Sequence, residues 1–83
     1  MRREPLRTTG LVLRLRPSAE SDLMLDLFTR DLGRVTALAK GGKRSLKRFC
    51  GLLLAGHLLE VDLAALKSGD LWRLESASLL AAR

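Results

Sequence analysis

The 83 residues carry 15 Lys plus Arg against 9 Asp plus Glu, a net charge of +6, with one Cys and one His. A chain of this length makes one domain and buries only about 60% of its unfolded surface, which excludes a catalytic domain with a separate substrate domain. Apolar residues at 47% and charged residues at 29% argue against global disorder. The lone Cys50 excludes an internal disulfide framework and any multi-Cys zinc site.

Leu supplies 21 residues and Arg outnumbers Lys 11 to 4, so intrinsic propensity leans towards helix. The patterning leans the other way. Gly10 to Arg16 alternates, with Leu11, Leu13 and Leu15 on one face and Val12, Arg14 and Arg16 on the other, a half-buried strand that Pro17 should end. The five Arg among the first 18 residues raise the question of a transit peptide. Glu4, Pro5 and the strand-like alternation oppose it, and the cytoplasm is the expected location. The longest apolar windows, Leu11 to Leu13 and Leu52 to Ala55, fall far short of the roughly 20 residues a membrane span needs.

After a polar turn over Ser18 to Asp22, the segment Asp22 to Thr29 alternates again, with Leu23, Leu25 and Leu27 opposite Met24, Asp26 and Phe28. A helix capped by Ser18 and running to Gly33 is the alternative, since Leu23, Met24, Leu27 and Phe28 also form a helical stripe. It leaves Leu25 on the wrong face, which favours the strand. Arg30-Asp31-Leu32-Gly33 reads as a hairpin loop with Gly33 at positive φ. Arg34 to Lys40 continues as a strand, with the small residues Val35, Ala37 and Ala39 turned inward as a curved barrel wall requires.

Ser45 is placed to cap a short helix over Leu46 to Cys50, closed by Gly51. Leu58 to Leu63 alternates Leu59, Val61 and Leu63 against Glu60 and Asp62. Lys67 to Asp70 is a turn, and Leu71 to Ser78 is the last strand, with Trp72 and Leu74 in the core phase. Five strands with a short helix between the third and fourth predict an all-β OB-fold, a small barrel, as one domain over residues 1–83.

Charge is unevenly spread: residues 1–16 carry +4, residues 17–32 carry −3, residues 33–48 carry +6 and residues 49–83 carry −1. Lys40 to Arg48 holds five cations in nine residues. Such density is tolerated when solvated or when it faces a polyanion. Arg14, Arg16, Arg34 and Lys40, with Lys43, Arg44, Lys47 and Arg48, form the candidate nucleic-acid surface. Phe28, in the outward phase of its strand, is the candidate for base stacking, with core packing or an interface as the other readings, and Phe49 is expected to pin the short helix.

Other signals fail on chemistry. Gly41-Gly42-Lys43-Arg44-Ser45 is not a P-loop, because Ala37 and Arg44 stand where Gly and Ser or Thr are needed. Cys50 and His57 lack a third orienting group for a nucleophile–base pair. Asp22, Asp26 and Asp31 do not follow a metal-site pattern. Neither enzyme activity nor a cofactor is expected.

Val12-Leu13-Arg14, Glu20-Ser21-Asp22-Leu23, Phe28-Thr29-Arg30-Asp31-Leu32-Gly33-Arg34 and Ala39-Lys40-Gly41 together resemble the N-terminal domain of the RecO family of bacterial recombination mediators, over residues 8–80. The resemblance implies an OB-fold that binds single- and double-stranded DNA, anneals complementary strands and helps load the recombinase. It also implies RecR and single-strand-binding protein as partners. Cys50-Gly51-Leu52-Leu53 departs from the glutamine–proline–phenylalanine-like stretch of the family. Family members continue into a helical domain, so an N-terminal domain or a shortened relative is expected. Two other readings stay open on the residues alone: a barrel gripping an acidic peptide such as the tail of single-strand-binding protein, and an RNA-binding barrel.

Overall fold

In the computed structural model, which describes residues 5–18, 21–40, 53–66 and 71–82, the period-two patterning prevails over helix propensity. Five strands form: β1 (Leu6–Ser18), β2 (Asp22–Thr29), β3 (Gly33–Ala39), β4 (Leu58–Ala65) and β5 (Leu71–Ala81). They close into a barrel in the order β1-β2-β3-β5-β4, with β4 pairing back onto β1. All neighbours are antiparallel except β3 and β5, a short parallel contact from Thr36↔Leu71 to Leu38↔Arg73. Closure leaves no unpaired edge running the length of the sheet. This order is that of the OB-fold expected from the sequence.

The core is the inward phase of every strand. Leu25, Leu27, Ala37, Ala39, Leu59 and Leu63 are fully buried, joined by Val12, Val61 and Leu74. Each buried Leu contributes about 1.5–3 kcal/mol through removal of its surface from water. Trp72 packs against this cluster as its phase predicts. Gly10, Ala37 and Ala39 keep parts of the inner wall thin, which suits a barrel closed by only five strands. Strand β2, paired on both sides, excludes the alternative helix over residues 18–33.

Two expectations for β1 are corrected. Its pairing with β2 shifts between Val12↔Leu27 and Arg14↔Asp26, a β-bulge with Leu13 as the extra residue. Val12 therefore points inward rather than outward. Leu11 lies opposite Phe28 on the outer face, and Leu13 is 41% exposed rather than core. Nor does Pro17 end the strand. It stays paired with Leu23, in a stretch where β1 has only β2 as a neighbour and a missing N–H is tolerated. The helix expected over Leu46 to Cys50, with Phe49 and Cys50, lies outside the described residues.

The β2–β3 turn is held by side chains. Thr29 Oγ1 donates to the Gly33 carbonyl at 2.8 Å and accepts from the Leu32 N–H at 2.9 Å. Thr8 Oγ1 donates to Asp31 at 2.5 Å, and the Arg30 N–H bonds to the Thr9 carbonyl at 2.8 Å. The hairpin is thus tied to β1 as well as to itself. Gly33 has φ 70°, as the turn demands.

Candidate nucleic-acid interface

The bulge at Leu13 decides which way two arginines face. Val12 is inward, so uninterrupted alternation would send Arg14 inward too. The extra residue resets the phase, and Arg14 and Arg16 emerge on the outer face opposite Asp26 and Met24. Across the next ladder, Asp26 lies opposite Thr36, Met24 opposite Leu38 and Phe28 opposite Arg34. Directly opposed residues share a face. The outer surface of β1, β2 and β3 therefore presents three transverse rows: Leu11–Phe28–Arg34, Arg14–Asp26–Thr36 and Arg16–Met24–Leu38. Lys40 follows directly on β3 and is exposed.

Arg14, Arg16 and Arg34 are accordingly brought to one face, with Lys40 just past the end of β3. Lys43, Arg44, Lys47 and Arg48 lie outside the described residues. Phe28 is 58% exposed, flanked in register by Leu11 and Arg34. That gives one flat apolar platform beside a cation, the arrangement on which a base can stack while its phosphate is neutralised.

Asp26 is the residue that sequence reasoning missed. It sits in the outward phase yet is only 5% exposed. Its Oδ2 accepts from Arg14 Nε at 3.0 Å, and Arg14 Nη2 lies 2.9 Å away. Its Oδ1 accepts from Arg16 Nη2 at 3.1 Å and from Thr36 Oγ1 at 3.2 Å. Three hydrogen bonds and the close Arg14 Nη2 contact thus engage both carboxylate oxygens. Burial pushes the Asp26 carboxyl up, but the hydrogen bonds from Arg14 and Thr36 and the charges of Arg16 and Arg14 outweigh it and hold it below the ordinary carboxylate range. An acid in the middle of an otherwise apolar stretch of β2, between two Arg-bearing or Thr-bearing strands, was the available signal. Reading it required the register.

The surface of β1, β4 and β5 differs. There Asp62 takes a two-pronged contact from Arg7, at 2.9 and 3.2 Å, and a hydrogen bond from Ser76 at 2.7 Å. The Arg7 and Ser76 hydrogen bonds hold the Asp62 carboxyl low against the opposing effect of burial. Arg73 pairs with Glu75 at 2.6 Å, and Glu60 is exposed between Thr9 and Ser78 in register. Among the described residues, Arg7 and Arg73 on this side are each matched by a carboxylate. On the β1–β2–β3 side, the ion pairs found among the described residues engage Arg14 and Arg16 and not Arg34 or Lys40. Among the described residues no group of His, Cys, Asp and Glu could hold a metal ion. No helix among the described residues is long and apolar enough to cross a membrane.

A five-stranded OB barrel with Arg14, Arg16 and Arg34 on the outer face of its first three strands defines the class. The sequence matches the family described as Recombination protein O N terminal over residues 1–83, and the chain belongs to that family. It is 40% identical over 79 residues to DNA repair protein RecO of Anaeromyxobacter sp. (strain Fw109-5), covering 95% of this chain and 31% of the relative. It is also 40% identical over 74 residues to DNA repair protein RecO of Syntrophobacter fumaroxidans, covering 89% of this chain and 29% of the relative. A shorter match to the Desulfosudis oleivorans DNA repair protein RecO is 49% identical over 44 residues. The chain thus spans under a third of the length of these relatives.

Proposed function

We propose that this chain is the DNA-contacting barrel of a bacterial DNA repair and recombination protein, acting in the cytoplasm without catalysis of its own. It binds single- and double-stranded DNA through Arg14, Arg16, Arg34 and Lys40, extended by Lys43, Arg44, Lys47 and Arg48. The observation that supports this reading is the shared outer face of Arg14, Arg16 and Arg34, where two arginines share the single carboxylate of Asp26 and Arg34 has no ion pair among the described residues. Each phosphate neutralised releases condensed counterions, so affinity is electrostatic and indifferent to sequence. Neutralising two polyanions at once also lets complementary strands approach, which is the physical basis of annealing. Recombinase loading, with RecR and single-strand-binding protein as partners, is part of the same proposal.

The test is a salt titration of fluorescent single-stranded DNA. If about five of the eight cations touch phosphates, log K falls against log salt with a slope of roughly −3.5. Replacing Lys43, Arg44, Lys47 and Arg48 by Ala should weaken binding and flatten the slope while the barrel stays folded. Unchanged affinity in that variant would remove the segment from the interface. Binding of an acidic peptide with no affinity for DNA would replace the reading by a protein-docking one, and a clear preference for RNA would move it to RNA.

A further inference from the structure

Arg14 and Arg16 lie two residues apart on one strand, about 6.8 Å along it. Left to themselves, two such side chains would reach for separate phosphates. Here they converge on the two oxygens of one carboxylate, Arg14 at Oδ2 and Arg16 at Oδ1 of Asp26. The carboxylate is itself fixed from β3 by Thr36. With side-chain exposures of 61% and 45%, both arginines remain accessible from solvent. The carboxylate is buried, and an apolar side chain would occupy the Asp26 position at lower desolvation cost.

The acid does determine where two flexible cations rest. Each guanidinium has five N–H donors. Asp26 engages Arg14 through Nε and Nη2 and Arg16 through Nη2, which leaves the Arg14 Nη1 amino group and most of the Arg16 fork for another acceptor. Both carboxylate oxygens are already engaged by Arg14, Arg16 and Thr36. The site then presents donors of net charge +1, a match for one phosphodiester.

We propose that Asp26 is a positioning residue that gathers Arg14 and Arg16 into a single clasp for one phosphate of a nucleic-acid strand. The inference rests on the DNA-binding reading and deepens it. Without Asp26 the two arginines must be ordered on binding, at an entropic cost that grows with each immobilised side chain.

The test uses fluorescein-labelled oligo(dT), the wild-type chain, Asp26→Asn, Asp26→Glu and the double variant Arg14→Ala/Arg16→Ala, with folding followed by thermal melting. Asp26→Asn removes a negative charge from a DNA-binding face, yet it should weaken binding on the order of tenfold. Asp26→Glu keeps the charge, displaces the carboxylate and should also weaken binding. The double variant should flatten the salt slope by about 0.7, one single-strand phosphate, rather than by about 1.4. Placed on the double variant, Asp26→Asn should have no further cost, a coupling that a purely structural role would not produce. If Asp26→Asn fails to fold, Asp26→Glu and the slope of the double variant decide. Tighter or unchanged binding by the Asp26 variants, or a slope change near 1.4, overturns the clasp alone. A wild-type chain without salt-dependent binding overturns the DNA reading and the clasp with it.

Discussion

At Gly33 the turn needs φ 70°, and a Cβ there would meet nothing within 4 Å. Space is available; conformation is the constraint. Gly33→Ala should therefore cost about 1–2 kcal/mol, the left-handed penalty for an L-residue, read by chemical denaturation. Gly10 gives the opposite case. A Cβ there would meet Thr29 Cγ2 at 3.6 Å and Leu27 Cβ at 3.8 Å, ordinary contact distances, so Gly10→Ala should leave stability within about 0.5 kcal/mol. Phe28, 58% exposed, has little to do with folding. Phe28→Ala should leave the melting temperature unchanged and weaken single-strand binding by about 1–3 kcal/mol, the worth of one stacked base, measured by anisotropy.

Among the elements, β1 carries the most consequence. A strict period of two gives Arg14 and Arg16 their outward direction correctly but assigns Leu11, Leu13 and Val12 to the wrong faces. The reason is the bulge: the phase read from Arg14 onward does not extend back across Leu13. Side-chain truncations separate the two descriptions. Val12→Ala should cost about 1.5 kcal/mol, two buried carbons, whereas Leu13→Ala, at a 41% exposed site, should cost less than about 0.5 kcal/mol. The reverse ranking in urea denaturation would mean that β1 is continuous. In β2, β3 and β4 the alternation has no such break before the core ends, and Leu25, Leu27, Ala37, Ala39, Leu59 and Leu63 fall on the face that the pattern assigns.

For the whole molecule, charge is organised by side. Asp26 ties β1, β2 and β3 together through Arg14, Arg16 and Thr36, and Asp62 ties β1, β4 and β5 through Arg7 and Ser76. Both carboxyls are held below their ordinary range in the folded barrel. Their stabilising contribution is therefore complete above the unfolded carboxylate pKa of about 3.9 and is lost as pH falls from there through the depressed folded values. Thermal melts between pH 6 and pH 2 should show wild-type stability falling below about pH 4. The Asp26→Asn/Asp62→Asn variant should follow a flatter profile over the same range. An equally steep decline in that variant would place the acid sensitivity elsewhere.

Strand periodicity, the hairpin glycine, the small inner wall of β3 and the accumulation of cations were all present in the sequence, because they are local: each is written within a few consecutive residues. The resemblance to the RecO family was legible for the same reason, in short runs such as Phe28 to Arg34. The bulge, the parallel β3–β5 contact and the role of Asp26 were not, since they depend on which residues meet across strands 10 to 40 positions apart. Only the register of β2 against β1 and β3 set Asp26 between Arg14 and Thr36, because register alone determines which outward side chains share a row.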